Sequence, residues 1–128
     1  MKALFEAIYS KYEGSPLSTA LTGKLHTPKA PKGTNTPYGV YYSPGGHTRP
    51  GAFDHDVESV PVLFVFYVDS NEEAHDFNEL CKVLFDNGDL IVEGYHVRKA
   101  ERETPGHILP AGDAFKVMIQ YRFELEVE

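Results

Sequence analysis

The chain has 128 residues, enough for one domain that buries roughly two-thirds of its unfolded surface. Its hydrophobic share of 41% and charged share of 24% match an ordinary water-soluble globule. The formal net charge of −7 argues against a general binder of phosphate backbones, which presents a basic face. No segment is long and apolar enough to span a membrane, and the N-terminus reads as an amphipathic segment, not a signal peptide.

In chain order, residues 2–12 place Leu4, Phe5, Ile8, Tyr9 and Tyr12 at helical spacing, a stripe expected to lie on a sheet. Glu13-Gly14 ends it. Ser15-Pro16 reads as an N-cap with Pro at the first helical position, opening a short helix over 17–21 that Gly23 closes. Residues 24–27 suit a short strand. The run PKAPKGTNTP, 28–37, is dense in Pro, Gly, Asn and Thr and reads as a loop. YGVYY, 38–42, predicts a strand with aromatic residues on both faces. Residues 43–56, SPGGHTRPGAFDHD, are the longest irregular stretch, and a loop of that length in a small domain is usually functional or mobile.

Residues 60–87 organise the rest. Val60, Val62, Phe64, Phe66 and Val68 alternate with Leu63, Val65 and Tyr67, so this strand is apolar on both faces and needs cover on both. Pro61 fits near its start, where a missing N–H matters least. Ser70 and Glu73 form a capping box, with Glu72, Glu73 and Asp76 at the positive end of the helix dipole. Ala74, Phe77, Leu80, Cys81, Leu84 and Phe85 give that helix one apolar stripe, and Asn87-Gly88 stops it. Cys81, on the stripe, is expected to be a small core residue.

A further strand is expected over 90–98, with Gly94 as a candidate bulge, and KAERE, 99–103, as its extension along a solvated edge. Residues 104–113 read as a flexible connection. Phe115, Val117, Ile119, Tyr121, Phe123, Leu125 and Val127 then face one way, while Lys116, Gln120, Arg122, Glu124 and Glu126, with Met118, face the other. That is a half-buried antiparallel strand, expected to pair as a hairpin with the one before it. The whole predicts a single α+β domain over 1–128: a two-layer sandwich with a mostly antiparallel sheet and two main helices packed on one face.

Catalytic motifs are not evident. Pro44-Gly45-Gly46 lacks the ending of a phosphate loop, and Ser10, Ser18 and Ser59 have no nucleophile-elbow context. His47, Asp54, His55 and Asp56 are the one cluster resembling a metal site, but successive Asp-His-Asp side chains cannot converge from an extended chain. His26, His75, His96 and His107 are scattered. The expectation is no enzyme and no cofactor. A sheet apolar on both faces, with helices for one, implies a surface that needs a partner, and interfaces favour Tyr, Phe and Arg. The candidate interaction residues are Tyr41, His47, Arg49, Phe53, His55 and His107.

The opening LFEAIYSKYEGSPLSTALTGKLHTPKAPKGTNTPYGVYY resembles the start of the phage tail-completion family, the tail terminators similar to minor tail protein U. Leu17, Leu21, Gly23, Ala30, Pro31, Pro37 and Tyr38 carry the pattern. LFDNGDLIVEGYHVRKAERE and FKVMIQYRFELEVE are similar to that family's second helix, following strand and final strand. The resemblance covers nearly the whole chain apart from residues 43–56. It implies a non-enzymatic virion protein, assembled in a bacterial host cytoplasm, that forms a ring, usually six-membered, capping the tail tube and meeting the head connector. Its implied partners are further copies of itself, tail-tube protein and head-connector protein, with no nucleic-acid specificity and no membrane. Residues 43–56 and 104–113 are expected to project toward those neighbours. The rival readings are another neck or tail component such as a head-completion or tube protein, a small metal- or ligand-binding module built on the histidine loop, and a monomeric domain.

Overall fold

Two long strands form the spine of the molecule. The computed structural model describes residues 2–44, 49–51, 54–86 and 89–128. Within them run α1 (Lys2–Tyr12), α2 (Pro16–Leu21), β1 (Leu25–His26), β2 (Tyr38–Tyr42), β3 (Arg49–Gly51), β4 (Asp54–Val68), α3 (Asn71–Phe85), β5 (Tyr95–Arg102), β6 (His107–Ala111) and β7 (Ala114–Val127). β4 and β7 pair antiparallel from Val57↔Glu126 to Val68↔Phe115.

Each spine strand is flanked on its outer side by two shorter segments. β2 lies opposite residues 63–67 of β4, and β3 lies opposite its beginning, Arg49 facing Ser59. On the far side, β5 pairs with residues 121–127 of β7 and β6 with residues 114–118. The junction stays attached: the Glu103 N–H donates to the Gln120 carbonyl at 2.7 Å, and the Gln120 N–H to Thr104 Oγ1 at 2.9 Å. β1 adds a short parallel pairing to β2, and the rest of the sheet among the described residues is antiparallel. The fold is α+β, as the sequence predicts.

The helices cover one face. Val60, Val62, Phe64, Phe66 and Val68 of β4 join Val117, Ile119, Tyr121, Phe123 and Leu125 of β7 in one buried cluster with Leu4, Ile8 and Tyr12 of α1 and Phe77, Cys81 and Phe85 of α3. Phe64 is at its centre, stacked on Phe85 with ring centroids 4.7 Å apart. Gly39 of β2 lies flat against this cluster; a Cβ there would meet Phe66 Cδ1 at 2.8 Å.

Local sequence explains the helix ends. Ser70 Oγ accepts from the Glu73 N–H at 3.1 Å, one half of the expected capping box. Ser15 Oγ accepts from the Ser18 N–H at 3.2 Å, with Pro16 in the first turn. The left-handed cap that ends α2 is Thr22, φ 52°, one residue before the expected Gly23. Asn87 and Gly88 lie outside the described residues.

Four expectations are corrected. Residues 104–113 are not a free loop: His107–Ala111 is β6, because β5 leaves the near half of β7 unpaired and its backbone groups need partners. Residues 43–56 contain β3 and the start of β4, which form a hairpin. The strand expected at 90–98 begins at Tyr95 and runs through the charged stretch to Arg102, while Leu90 and Val92 are buried in the core without a strand of their own. Finally, the second face of β4 is not left open. Val40, Leu63 and Val65 are buried in a smaller cluster with Ala30, Tyr42, Tyr67 and Met118, so the 28–37 loop supplies cover expected from another molecule.

Candidate assembly surface

Register places the predicted interaction residues far apart. Tyr41 is on the helix face of β2, 2% exposed, its ring edge-on to Phe5 with centroids 5.4 Å apart. Its hydroxyl donates to the Phe5 carbonyl at 3.2 Å, and burial, with Tyr9 nearby, pushes its pKa up to about 12. Tyr41 therefore reaches solvent only as the floor of a groove beside α1, rimmed by Lys2, Phe5, Glu6, Tyr9 and Thr27. Arg49 lies on β3 and His55 on β4, within one hairpin. His107 lies on β6 opposite Met118, which faces Val65. Val65 is ten positions from His55, up to about 33 Å along a strand. His47 and Phe53 lie outside the described residues.

The β3–β4 hairpin projects. β4 residues 54–56 precede the first pairing with β7, at Val57, so the hairpin overhangs the end of the spine. The sheet's outer edges are blunted. The β5 edge carries a register shift between Val97 and Lys99 and the charged Lys99 and Glu101, β6 carries Pro110, and β3 carries Pro50. Such features disfavour pairing with a foreign strand. The accessible surfaces without such features are the faces, the grooves and the hairpin.

The second face of β7 is laced with charge pairs. Arg122 donates from Nε to Glu103 at 3.1 Å and from Nη1 to Ser59 Oγ at 3.0 Å, while Gln120 Nε2 donates to Glu103 Oε1 at 2.9 Å. Burial alone raises the Glu103 pKa, but the hydrogen bonds from Gln120 and Arg122 outweigh it and hold the carboxyl below its ordinary value. Lys99 pairs with Glu101 at 3.1 Å and Arg98 with Glu126 at 3.9 Å.

One cluster escapes sequence reading. The buried Tyr121 hydroxyl donates to Asp86 Oδ1 at 2.5 Å, and Arg102 Nε donates to the same oxygen at 3.2 Å. Asp86 follows the last turn of α3, where a carboxylate opposes the dipole, so Arg102 and Tyr121 offset that cost. The three are far apart in sequence, and only the β5–β7 register, Arg102 opposite Tyr121, brings them together. Burial raises the Tyr121 pKa, reinforced by Cys81 and Asp86, so this phenol stays protonated and is a strut, not a base. Cys81 is likewise pushed up, by burial first, which disfavours its nucleophilic thiolate. Among the described residues no group of three or more His, Cys, Asp or Glu side chains is arranged to hold a metal, and no helix is long and apolar enough to cross a membrane.

No family model matches the chain, and no curated protein is similar to it by sequence. Its fold is similar to that of a chain in a solved structure, the virion of a native gene transfer agent (GTA) particle. The TM-score is 0.73 at 14% identity, over 94% of this chain and 92% of that one. At that identity the likeness is one of fold.

Proposed function

We propose that this chain is a structural subunit of a phage-like virion, and specifically a tail terminator: a non-enzymatic protein that closes as a ring, six-membered in the family it resembles, caps the tail tube and helps join tail to head. The observation that carries the reading is the end-to-end likeness of fold to a virion chain, together with the resemblance of residues 4–42, 84–103 and 115–128 to tail-completion proteins. Two further features support it. Blunted sheet edges suit an assembly that must stop, because an open edge invites unlimited strand addition. An overhanging hairpin suits a subunit that reaches a neighbour. Self, tail-tube protein and head-connector protein are the partners of this reading, and the virion is its location.

The test is the mass of the purified protein in solution, alone and with tail tubes. A discrete ring that binds tube ends and halts their growth is expected. Filaments that lengthen without limit would instead assign it to the tube. A second arm deletes residues 44–53, joining β2 to β4 without the hairpin. The spine and both cores lie outside the deletion, so a folded protein that no longer joins heads to tails is expected. Unimpaired joining would remove the hairpin from the interface.

A further inference from the structure

Charge is distributed along this chain with a sharp asymmetry. Residues 14–53 contain Lys24, Lys29, Lys32 and Arg49 and no acidic residue, a net +4. Residues 54–93 contain eleven acidic residues and one base, Lys82, a net −10. β3 pairs with the start of β4, but the Lys29–Lys32 loop and the acidic face of α3 end on opposite sides of the sheet. The lysine-bearing loop, residues 28–34, lies over the second face of the sheet, lining a groove with Tyr38, Val40 and Tyr67. The acidic residues of α3 lie on the outside of the helix layer, with the sheet between.

Both surfaces are shaped for contact. On the acidic side, α2 and α3 bound an open groove whose apolar wall is Phe77, Leu80 and Val83 and whose rim is Glu73, Asp76 and Glu79. Val83 is 73% exposed and continues the apolar wall out to the surface. Glu79 pairs with Lys82 at 3.3 Å, while Glu73 and Asp76 have no ion partner among the described residues. On the basic side, Lys29, Pro31 and Lys32 are exposed, and neither lysine is ion-paired among the described residues. The tip is already held in one shape. The Thr34 N–H donates to the Pro31 carbonyl at 3.2 Å, and Lys24 Nζ donates to the Asn35 carbonyl at 2.8 Å. A preformed tip loses less freedom on docking.

We infer that residues 29–32 of one copy dock into the acidic groove between α2 and α3 of the next copy, Pro31 against the Leu80–Val83 wall and Lys29 and Lys32 against Asp76, Glu79 and Glu73. The two surfaces are different patches on opposite faces, so the contact is heterologous, the kind that builds rings and filaments and not isologous dimers. The inference rests on the self-assembly reading above and names its interface.

The experiment compares self-association by sedimentation velocity for four proteins: wild type, Lys29→Glu/Lys32→Glu, Asp76→Lys/Glu79→Lys, and the chain carrying all four changes. Each two-residue variant is expected to weaken association at least about tenfold, since like charges then face each other. The fourfold variant is expected to regain most of the lost association, because both lysines and two of the three rim carboxylates are reversed together. Raising salt from about 50 mM to about 500 mM should weaken the wild type in the same direction. All substitutions are at exposed positions, and melting curves verify that each variant folds. Two-residue variants that associate like wild type, or a folded fourfold variant that stays dissociated, would overturn the contact and leave the ring reading standing. A wild type that stays monomeric at high concentration, alone and with tail tubes present, would overturn both.

Discussion

Gly39 offers the sharpest test of how the core is packed. Replacing it with Ala adds a methyl group whose carbon would lie 2.8 Å from Phe66 Cδ1, 3.0 Å from Phe66 Cε1 and 3.0 Å from Leu25 Cδ1. The Phe66 ring cannot easily retreat, because it stacks between Phe64 at 6.5 Å and Phe77 at 5.9 Å, and all three are buried. Overpacking of this kind costs about 1–3 kcal/mol. Two effects oppose it: Ala loses less backbone entropy on folding than Gly, and it suits a strand better, together about 0.5–1 kcal/mol. Because contacts of 2.8–3.0 Å fall on a confined ring, the steric cost lies in the upper part of that range and wins, leaving a net loss of about 1–2 kcal/mol. For 128 residues, each kcal/mol corresponds to about 4 °C in Tm, so the expected drop is about 4–8 °C by calorimetry. The mechanism is isolated by adding Phe66→Leu, which frees the space. The double variant should then be more stable than the sum of the single losses predicts, by about 1 kcal/mol. A rise in Tm for Gly39→Ala, or strictly additive losses, would refute this account of β2 packing.

Three further outcomes are expected. Ser70→Ala removes the acceptor for the Glu73 N–H and should lower stability by about 1 kcal/mol, whereas Ser70→Asp should retain it; both are read from denaturant midpoints. The Glu103 carboxyl has its pKa lowered in the fold, so its contribution is present above the ordinary carboxylate value of 4.5 and fades as pH falls through the folded value. Glu103→Gln should therefore be less stable than wild type at neutral pH, with the gap closing on acidification; a gap independent of pH between 7 and about 3 would contradict the Arg122 and Gln120 assignment. Cys81 is fully buried with its thiol pKa raised, so a thiol reagent should label it only as fast as the protein opens. Labelling at the rate of a free thiol in native buffer would place Cys81 outside the core.

The elements that the sequence made legible are those with a strong local signal. The alternation from Phe115 to Leu125 predicts β7 because every second residue must leave water, and each of Val117, Ile119, Tyr121, Phe123 and Leu125 is buried. The Ser70 cap, the Ser15-Pro16 start and the core position of Cys81 follow from chemistry within one helical turn. β6 was not legible, since Pro105, Gly106 and Pro110 give its neighbourhood a loop composition. It is a strand because β7 is longer than β5 and leaves backbone groups that need partners. Residue type and nearness to a loop single out the six candidate interaction residues, and type does not reveal direction: Tyr41 points into the helix-side core, while Tyr42, its neighbour, points to the opposite face.

By itself the sequence determined helices α1, α2 and α3 and the strands with a strong alternation, β2, the apolar part of β4 and β7, that β4 needs cover on both faces, and that the fold is α+β, because these depend on spacing within a few residues. Only the tertiary structure decided what provides that cover. The 28–37 loop folds back over Val40, Leu63 and Val65, and the helices take the other face. It also decided that Asp86, Arg102 and Tyr121 meet and that the basic loop and the acidic helix end on opposite sides of the sheet. The physical reason is common to all three. Pairing register and layer order are set by contacts between residues distant in the chain, and a local pattern of polarity carries no record of which distant partner fills the space.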